Sequence, residues 1–391
     1  MPTLQQEALK LHKDNQGKLG VYSKVAVENA DDLSLAYSPG VAEPCLEIAK
    51  NEKTVYDYTN KGNAVAVVSN GTAVLGLGNI GAKASMPVME GKAVLFKSFA
   101  NIDAYPICLE TEDTDKIVEI VKTMQAGFGG VNLEDIGAPA CFEIEERLKA
   151  ECDIPVFHDD QHGTAIVTAA GLLNAFKLAE KEASTARIVI NGAGAAGISI
   201  VKLLLNMGME NLILCDRSGA IYTGREKKSS AKQEIARITN KENLKGSLAE
   251  VLKGADVFIG VSGANCVTKE MVESMNENPI IFAMANPDPE ISVPLAKEAG
   301  ALVVGTGRSD FPNQVNNVLA FPGIFRGALD ARATDINEEM KIAAVYALAD
   351  LIDASELNSE YVIPKPFDER VPESIAKAVY QAAIQSGVSR L

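Results

Sequence analysis

Two pairs of adjacent carboxylates are the groups in this chain best suited to hold a metal ion. Glu134-Asp135 and Asp159-Asp160 each follow a short apolar run, and the second pair precedes a stretch of helical composition. Ligation by oxygen alone, without a cysteine or paired-histidine signature, favours a hard cation such as Mg²⁺ or Mn²⁺. The alternative is that Asp159 and Asp160 only cap a helix and complement its dipole. Taken alone, the two interpretations are evenly balanced.

Two histidines, His158 and His162, flank the second acidic pair at a spacing of one helical turn. Such a pair could suggest zinc, but the glutamate of the HExxH signature is missing. We therefore expect both histidines to hydrogen-bond within this junction and not to bind a metal.

A glycine-rich turn further along the chain predicts a dinucleotide site. It follows an apolar strand, opens an apolar helix, and precedes a second strand that ends in Asp216. Glycines at these positions let a pyrophosphate approach the helix N-terminus, while the acidic residue reaches the adenosine ribose. The residues assigned to the cofactor here are Gly192, Gly194, Ala195, Ala196 and Gly197.

The identity of the cofactor depends on charges near Asp216. A carboxylate there favours the free 2′-hydroxyl of NAD over the 2′-phosphate of NADP. Arg217, Arg225, Lys227 and Lys228 could offset that repulsion. We predict NAD, with NADP tolerated.

A second glycine pattern, Gly76-Leu-Gly-Asn-Ile-Gly81, has a different predicted role. Ser85, Pro87 and Met89 interrupt the stretch where a clean amphipathic helix should follow, so no βαβ unit is predicted. The pattern is interpreted as a tight turn that brings backbone close to a site.

Proton-transfer groups are harder to identify from residue type. Lys92 precedes an apolar run, and if that run is a buried strand, desolvation would lower the lysine pKa toward neutrality. Most lysines are simply solvated. Tyr37 lies in a loop bracketed by prolines, where a tyrosine often only completes a hydrogen bond. Asn286 and Asn317 could grip a carboxylate at the ends of sheet strands, or could serve as turn-forming residues.

The elements around these residues predict an α/β protein of two domains. Residues 1–161 form a mixed α/β substrate and metal domain, whose sheet is expected to be mixed because Asn70-Gly71 suggests a hairpin. Residues 162–391 are predicted to form the second domain, a Rossmann-type doubly wound parallel sheet whose C-terminal helices pack back. An alanine-rich helix over residues 164–179, at the start of this domain, connects the two domains. The strands predicted for this second domain cover residues 187–191, 211–215, 256–261, 279–284 and 301–304.

Composition excludes several classes of protein. The 391 residues exceed what one core usually supports, and the net charge of -15 argues against binding to nucleic acid or to anionic membranes. No apolar run approaches the roughly 20 residues needed to span a bilayer. The N-terminus resembles neither a signal nor a transit peptide, so a cytoplasmic protein is expected. The six cysteines lack CxxC spacing and are expected to be buried free thiols.

Taken together, the motifs resemble the malic enzymes of the short type, in order and over nearly the whole chain. The matching stretches begin at Tyr37-Ser-Pro-Gly, Gly76-Leu-Gly, Glu90-Gly-Lys92, Leu133-Glu-Asp135, His158-Asp-Asp-Gln-His-Gly, Gly192-Ala-Gly, Ala285-Asn-Pro and Asn316-Asn. The resemblance implies oxidative decarboxylation of L-malate to pyruvate and CO₂ by a homodimer, with decarboxylation of oxaloacetate as an added activity. Two alternatives remain, a metal-independent amino-acid dehydrogenase and a non-catalytic dinucleotide-sensing protein.

The same resemblance implies a role for each candidate residue. Glu134, Asp135 and Asp160 would bind the metal, Lys92 would be the general base, Tyr37 the general acid, and Asp159 would orient Lys92. Asn286 and Asn317 would contact malate, with Asn286 also near the cofactor. One position departs from the pattern: longer relatives carry a substrate-binding arginine where this chain has Ala73.

Overall fold

Two separate β-sheets form the framework of the protein in this computed structural model, which describes residues 3–74, 76–225 and 230–391. Lys227 and Lys228, named above as candidates for a 2′-phosphate, lie outside the described residues. The α/β class and the Rossmann-type second sheet predicted from the sequence are confirmed.

The first sheet has four strands in the order β2-β1-β3-β4, and all of its pairings are parallel. Its strands are β1 (Ala64–Ser69), β2 (Asp103–Cys108), β3 (Gly130–Leu133) and β4 (Val156–His158). The prediction of a mixed sheet with a hairpin at Asn70-Gly71 is therefore wrong. The carbonyl of Gly71 accepts bonds from the amides of Ile80 and Gly81, which folds the chain into a loop that leads to a helix.

Sixteen α-helices occur in the described residues. They are α1 (Leu4–Asn15), α2 (Ala30–Ala36), α3 (Ala42–Lys50), α4 (Val55–Tyr58), α5 (Ala82–Ala100), α6 (Thr114–Met124), α7 (Ala140–Glu151), α8 (Asp159–Ala179), α9 (Ala195–Asn206), α10 (Ser230–Ile238), α11 (Leu248–Leu252), α12 (Lys269–Glu273), α13 (Val293–Glu298), α14 (Phe321–Asp330), α15 (Glu338–Ala349) and α16 (Arg370–Gln385).

Helix α5 joins β1 to β2, so the first glycine pattern lies inside a βαβ unit, contrary to the prediction. Pro87 lies inside this helix and removes one backbone donor. Met89 and Phe96 are nevertheless fully buried on the inner face of the helix, and this burial outweighs the lost hydrogen bond. Lys92 therefore lies on a helix and not ahead of a strand.

The second sheet has six strands in the order β10-β9-β8-β5-β6-β7, parallel except for the short β7. Its strands are β5 (Ile188–Asn191), β6 (Leu212–Asp216), β7 (Gly219–Ala220), β8 (Val257–Gly260), β9 (Ile280–Ala283) and β10 (Val303–Thr306). Each of the five predicted strands is present, shifted by one or two residues at its ends.

The C-terminal helices pack back across both sheets, as predicted. Phe321 and Phe325 of α14 lie against Phe96 of α5, with ring centroids 4.7 and 5.3 Å apart. Phe325 also contacts Phe157 of β4 at 5.8 Å. One apolar cluster thus joins the two sheets through α5, α8 and α14, while the domain boundary near residue 161 remains a prediction.

The N-terminal segment differs from the rest because none of the residues in α1, α2 or α3 is buried. Its exposed residues include large apolar ones such as Leu4, Leu9, Leu35 and Leu46. An exposed apolar surface of this kind often marks a site of contact with another protein surface.

The predicted burial of the cysteines is only partly correct. All six are free, but only Cys141 and Cys215 are buried. Cys45 is exposed because it lies on α3, which buries none of its residues. Cys266 is exposed in the loop after β8. Every helix in the described ranges is too short or too polar to span a bilayer.

Candidate active site

The two acidic pairs meet at one edge of the first sheet. Glu134 and Asp135 directly follow β3, and Asp159 and Asp160 open α8 directly after β4. The two strands are neighbours with Leu133 paired to His158, so their carboxyl ends lie side by side. Helix α8 begins at Asp159, five residues before the predicted start, which places both aspartates in its first turn.

Three of these carboxylates form a candidate metal site. Glu134, Asp135 and Asp160 each offer one oxygen, and the three oxygens lie within 4.8 Å of one another. The backbone amide of Asp135 donates to Asp160 Oδ2 at 2.8 Å, which holds the two loops together. Because all three candidate ligand atoms are carboxylate oxygens, the site fits a hard cation such as Mg²⁺ or Mn²⁺.

Lys92 reaches into the same cluster from α5. Its Nζ lies 2.6 Å from Asp159 Oδ2 and 2.9 Å from Glu134 Oε1, and 4.2 Å from the ring centroid of Phe321. Burial alone would lower the pKa of Lys92, but the carboxylates of Asp159 and Glu134 outweigh burial and raise it. The lowered pKa expected from the sequence is therefore wrong for this arrangement.

The carboxylates show the opposite response to burial. Burial raises the pKa of Asp159 to about 7 and that of Glu134 to about 7, although Lys92 opposes both shifts. Burial also raises the pKa of Asp160 to about 6. Several acids crowded around one ammonium group cannot all be ionised at low cost, so the site favours an added cation.

The two candidate asparagines stand in different relations to this cluster. Asn317 donates its Nδ2 to Asp159 Oδ2, so Asn317 and Lys92 share one carboxylate oxygen. The side chain of Asn286 contacts the carbonyl of Met284, at the end of β9. A Cβ at Gly76 would lie 2.9 Å from the carbonyl oxygen of Asn286, so the first glycine turn closely approaches that loop.

Gly163 is a residue of this site that the sequence did not single out. A Cβ at Gly163 would lie 1.9 Å from Asp159 Oδ1, which is impossible without a shift of the aspartate. The position of Gly163 one turn after Asp159 in the same helix is the signal that could have identified it.

The dinucleotide turn has the expected form. Gly192 has a φ of 124°, and a Cβ at Gly197 would lie 1.8 Å from the carbonyl oxygen of Gly192. Helix α9 starts at Ala195, so its free N-terminal amides face the turn.

Asp216 ends β6, as the fingerprint requires, but both of its oxygens are already paired. Arg225 contacts Oδ1 at 2.5 Å, and Lys232 contacts Oδ2 at 2.8 Å. Partial burial opposes the effect of these cations, which lower the pKa of Asp216 to about 2. Lys232 was missed by the sequence analysis because it lies on the following helix. Arg217 is exposed.

The predictions for Tyr37 and for the two histidines have different outcomes in the structure. The side chain of Tyr37 is exposed, and the only hydrogen bonds that involve Tyr37 in the described chain are made by its backbone to Leu33 and Val41. The structure therefore does not bring Tyr37 into the Lys92 cluster.

His162 hydrogen-bonds within the junction as predicted, with Nε2 2.8 Å from Glu145 Oε1. The Nδ1 of His158 is 3.8 Å from Asp160 Oδ2, too far for a hydrogen bond.

Comparison with known proteins adds independent findings. Residues 16–149 match the family model described as malic enzyme, N-terminal domain, and residues 161–384 match that described as malic enzyme, NAD binding domain. The chain is 66% identical over 390 residues to a bifunctional malic/malolactic enzyme of Bacillus subtilis, covering 100% of this chain and 95% of that protein. It is 56% identical over 374 residues to an NAD-dependent malic enzyme of Geobacillus stearothermophilus, covering 96% and 78%.

A solved structure resembles the whole chain. The malic enzyme from Pyrococcus horikoshii superposes with a TM-score of 0.96 at 47% identity, covering 99% of this chain and 92% of that one. An NADP-dependent malic enzyme of Escherichia coli is 51% identical over 404 residues, which is 99% of this chain but 53% of that longer protein.

Proposed function

The chain belongs to the malic enzyme family, and from that premise we propose that it converts L-malate to pyruvate and CO₂ while reducing NAD(P). The observation that carries this proposal is the arrangement of Glu134, Asp135 and Asp160 around one point, with Lys92 within hydrogen-bond distance of Glu134. Metal-independent amino-acid dehydrogenases would have no need of the acidic group.

We assign the divalent cation to these three carboxylates. When bound, the cation would polarise the C2 oxygen of malate and stabilise the enolate left by decarboxylation. The same site should decarboxylate added oxaloacetate, because that step needs no hydride transfer.

Lys92 is proposed as the general base that removes the proton from the C2 hydroxyl. As an ammonium group it cannot do so, and Asp159 at 2.6 Å is the group placed to take its proton. Burial raises the pKa of Asp159 and makes it a better proton acceptor, whereas the ion pairs with Asp159 and Glu134 raise the pKa of Lys92 and oppose the transfer. Asn317, which donates to the same oxygen, would hold Asp159 in place while the proton moves.

We infer that the active form is a homodimer. Helices α1 to α3 bury none of their residues, and Tyr37, the proposed general acid, lies among them. Pairing of two copies over this segment would cover its apolar surface and shield Tyr37 from water. If Tyr37 serves the site of the other copy, mixing inactive Lys92→Ala and Tyr37→Phe chains should restore part of the activity.

The cofactor is proposed to be NAD, with NADP tolerated. Asp216 favours the 2′-hydroxyl of NAD, while Arg225 and Lys232 supply positive charge beside it. Relatives named as NAD-dependent and as NADP-dependent are both more than half identical to the chain, which accords with this balance.

A malolactic activity is a second proposal, supported by the 66% identity to the bifunctional enzyme of Bacillus subtilis. If pyruvate and the reduced cofactor remain bound, hydride can return to C2 of pyruvate and give lactate. Lactate formed from malate with only catalytic amounts of NAD would support this activity.

The principal test is a product assay with malate, NAD and Mn²⁺. Pyruvate, CO₂ and NADH should appear in equal amounts and should disappear in excess EDTA. Undiminished turnover in EDTA, or turnover of an amino acid in place of malate, would favour the amino-acid dehydrogenase alternative. Cofactor binding without any turnover would favour the sensing protein.

A further inference from the structure

A chain of charged and polar side chains, buried at Glu145 and Lys341 and exposed at Glu338, lies behind the acidic cluster and plays no part in the mechanism above. It consists of Glu145 on α7, His162 on α8, and Lys341 and Glu338 on α15, and we name it the junction network. Glu145 and Lys341 are 7% and 4% exposed. Its members border a cleft of about 920 Å³ between α7, α9 and α15.

One oxygen of Glu145 binds both ends of the first turn of α8. Its Oε1 accepts from the backbone amide of His158 at 3.2 Å and lies 2.8 Å from Nε2 of His162. Asp159 and Asp160 fall between these two contacts along the chain. Glu145 thus holds both ends of the turn that carries Asp160, a proposed metal ligand, and Asp159, the partner of Lys92.

Lys341 fixes which nitrogen of His162 carries the proton. An ammonium group can only donate, so Nδ1 of His162, 3.3 Å from Lys341 Nζ, must be the acceptor. Nε2 then carries the proton and donates it to Glu145. The far end of the network is held by Glu338, which contacts Lys341 and accepts from Asn206 at the end of α9.

The first turn of α8 depends on such outside contacts. His158, at the N-cap, makes no side-chain capping bond. The one bond that Asp160 makes to the protein across the described cluster is to the amide of Asp135. Its position therefore follows the backbone that Glu145 and His162 hold.

We propose that Glu145, His162 and Lys341 are positioning residues that hold Asp160 where it can bind the metal ion. This inference rests on the proposed metal site. Loss of groups that orient metal ligands typically weakens metal affinity by about 10- to 100-fold.

The test is Mn²⁺ affinity, measured by electron paramagnetic resonance on the full chain. Glu145→Gln keeps the size of the side chain and removes its charge, and it should weaken Mn²⁺ binding by about tenfold. NADH affinity, read from nucleotide fluorescence, should not change. Activity should recover when Mn²⁺ is saturating, because the defect lies in metal affinity. The matched control is Glu146→Gln, an exposed neighbour on α7, which should behave as the wild type.

Unchanged Mn²⁺ affinity in E145Q, or an equal loss of Mn²⁺ and NADH affinity, would overturn the inference alone. If the wild-type chain bound no Mn²⁺, the proposed function would fail and this inference with it. If E145Q does not fold, Lys341→Met decides, because it removes the donor that fixes the His162 tautomer. That variant should weaken Mn²⁺ binding by at least about threefold, and wild-type affinity would refute the positioning role.

Discussion

Replacement of Asp216 by alanine should turn the enzyme toward NADP. In the structure Asp216 neutralises Arg225 and Lys232 at 2.5 and 2.8 Å, and it would repel a 2′-phosphate bound beside them. Asp216→Ala removes the repulsion and leaves the positive charges of Arg225 and Lys232 beside the position of the phosphate. The same change removes the acceptor for the 2′-hydroxyl of NAD, so the two cofactors should respond in opposite directions.

The size of the effect follows from the charges involved. Two unit charges about 4 Å apart interact by about 4 kcal/mol at the effective dielectric constant of about 20 found near protein surfaces. Asp216 remains partly exposed to water, so we take about half of that value, about 2 kcal/mol, as the net change. This corresponds to a shift of about thirtyfold in the ratio of kcat/KM for NADP to that for NAD.

The assay is the initial rate of malate oxidation with each cofactor at saturating Mn²⁺. Lys241→Ala is the control, because Lys241 is a surface cation of the same domain that pairs with Glu210. It should leave the ratio unchanged. Addition of Lys232→Ala to the D216A variant should remove much of the gain. If D216A lowered kcat/KM equally for both cofactors, the electrostatic reasoning would be refuted.

Three further predictions concern the acidic cluster. Lys92→Ala and Tyr37→Phe should each lower kcat by about 10²- to 10⁴-fold, measured as pyruvate formation, and near-full activity in either would contradict its role in proton transfer. Gly163→Ala should displace Asp159 and reduce turnover while NADH binding, read by fluorescence, persists; full activity would mean that the aspartate can move without consequence. Because burial raises the pKa of Asp159 to about 7 and of Asp160 to about 6, the folded metal-free chain holds protons that the unfolded chain releases. The bound protons stabilise the folded state below about pH 4, and this stabilisation is lost as the pH rises through 6 to 7. Thermal melting in EDTA should therefore occur at a lower temperature at pH 8 than at pH 5.5. Asp160→Asn should reduce this difference, and an unchanged difference would contradict the assignment.

The second sheet could be predicted well from the sequence because each of its signals is local. Each long strand is a short apolar run, and the glycine turn at residues 192–197 and the acidic end of β6 lie within the single βαβ unit formed by β5, α9 and β6. The first sheet was predicted less well. Asn70-Gly71 is a strong hairpin signal, yet the chain after it makes a crossover through α5, whose burial compensates for Pro87.

The candidate metal ligands were suggested by residue type, but their convergence depends on the pairing of β3 with β4, which no local pattern shows. The environment of Lys92 was misjudged for the same reason. Its pKa depends on Asp159 and Glu134, which are distant in sequence. Lys232 and Glu145 could not be identified at all, because the contacts that give them a role are with residues on other elements.

We propose that Glu134, Asp135 and Asp160 hold the cation on which malate decarboxylation depends. Mn²⁺ affinity and pyruvate formation measured side by side in Asp160→Asn test it most directly, with NADH affinity as the check on folding. We expect Mn²⁺ affinity and pyruvate formation to fall together by at least about tenfold while NADH still binds. Wild-type Mn²⁺ affinity in this variant, or wild-type pyruvate formation without bound metal, would contradict it.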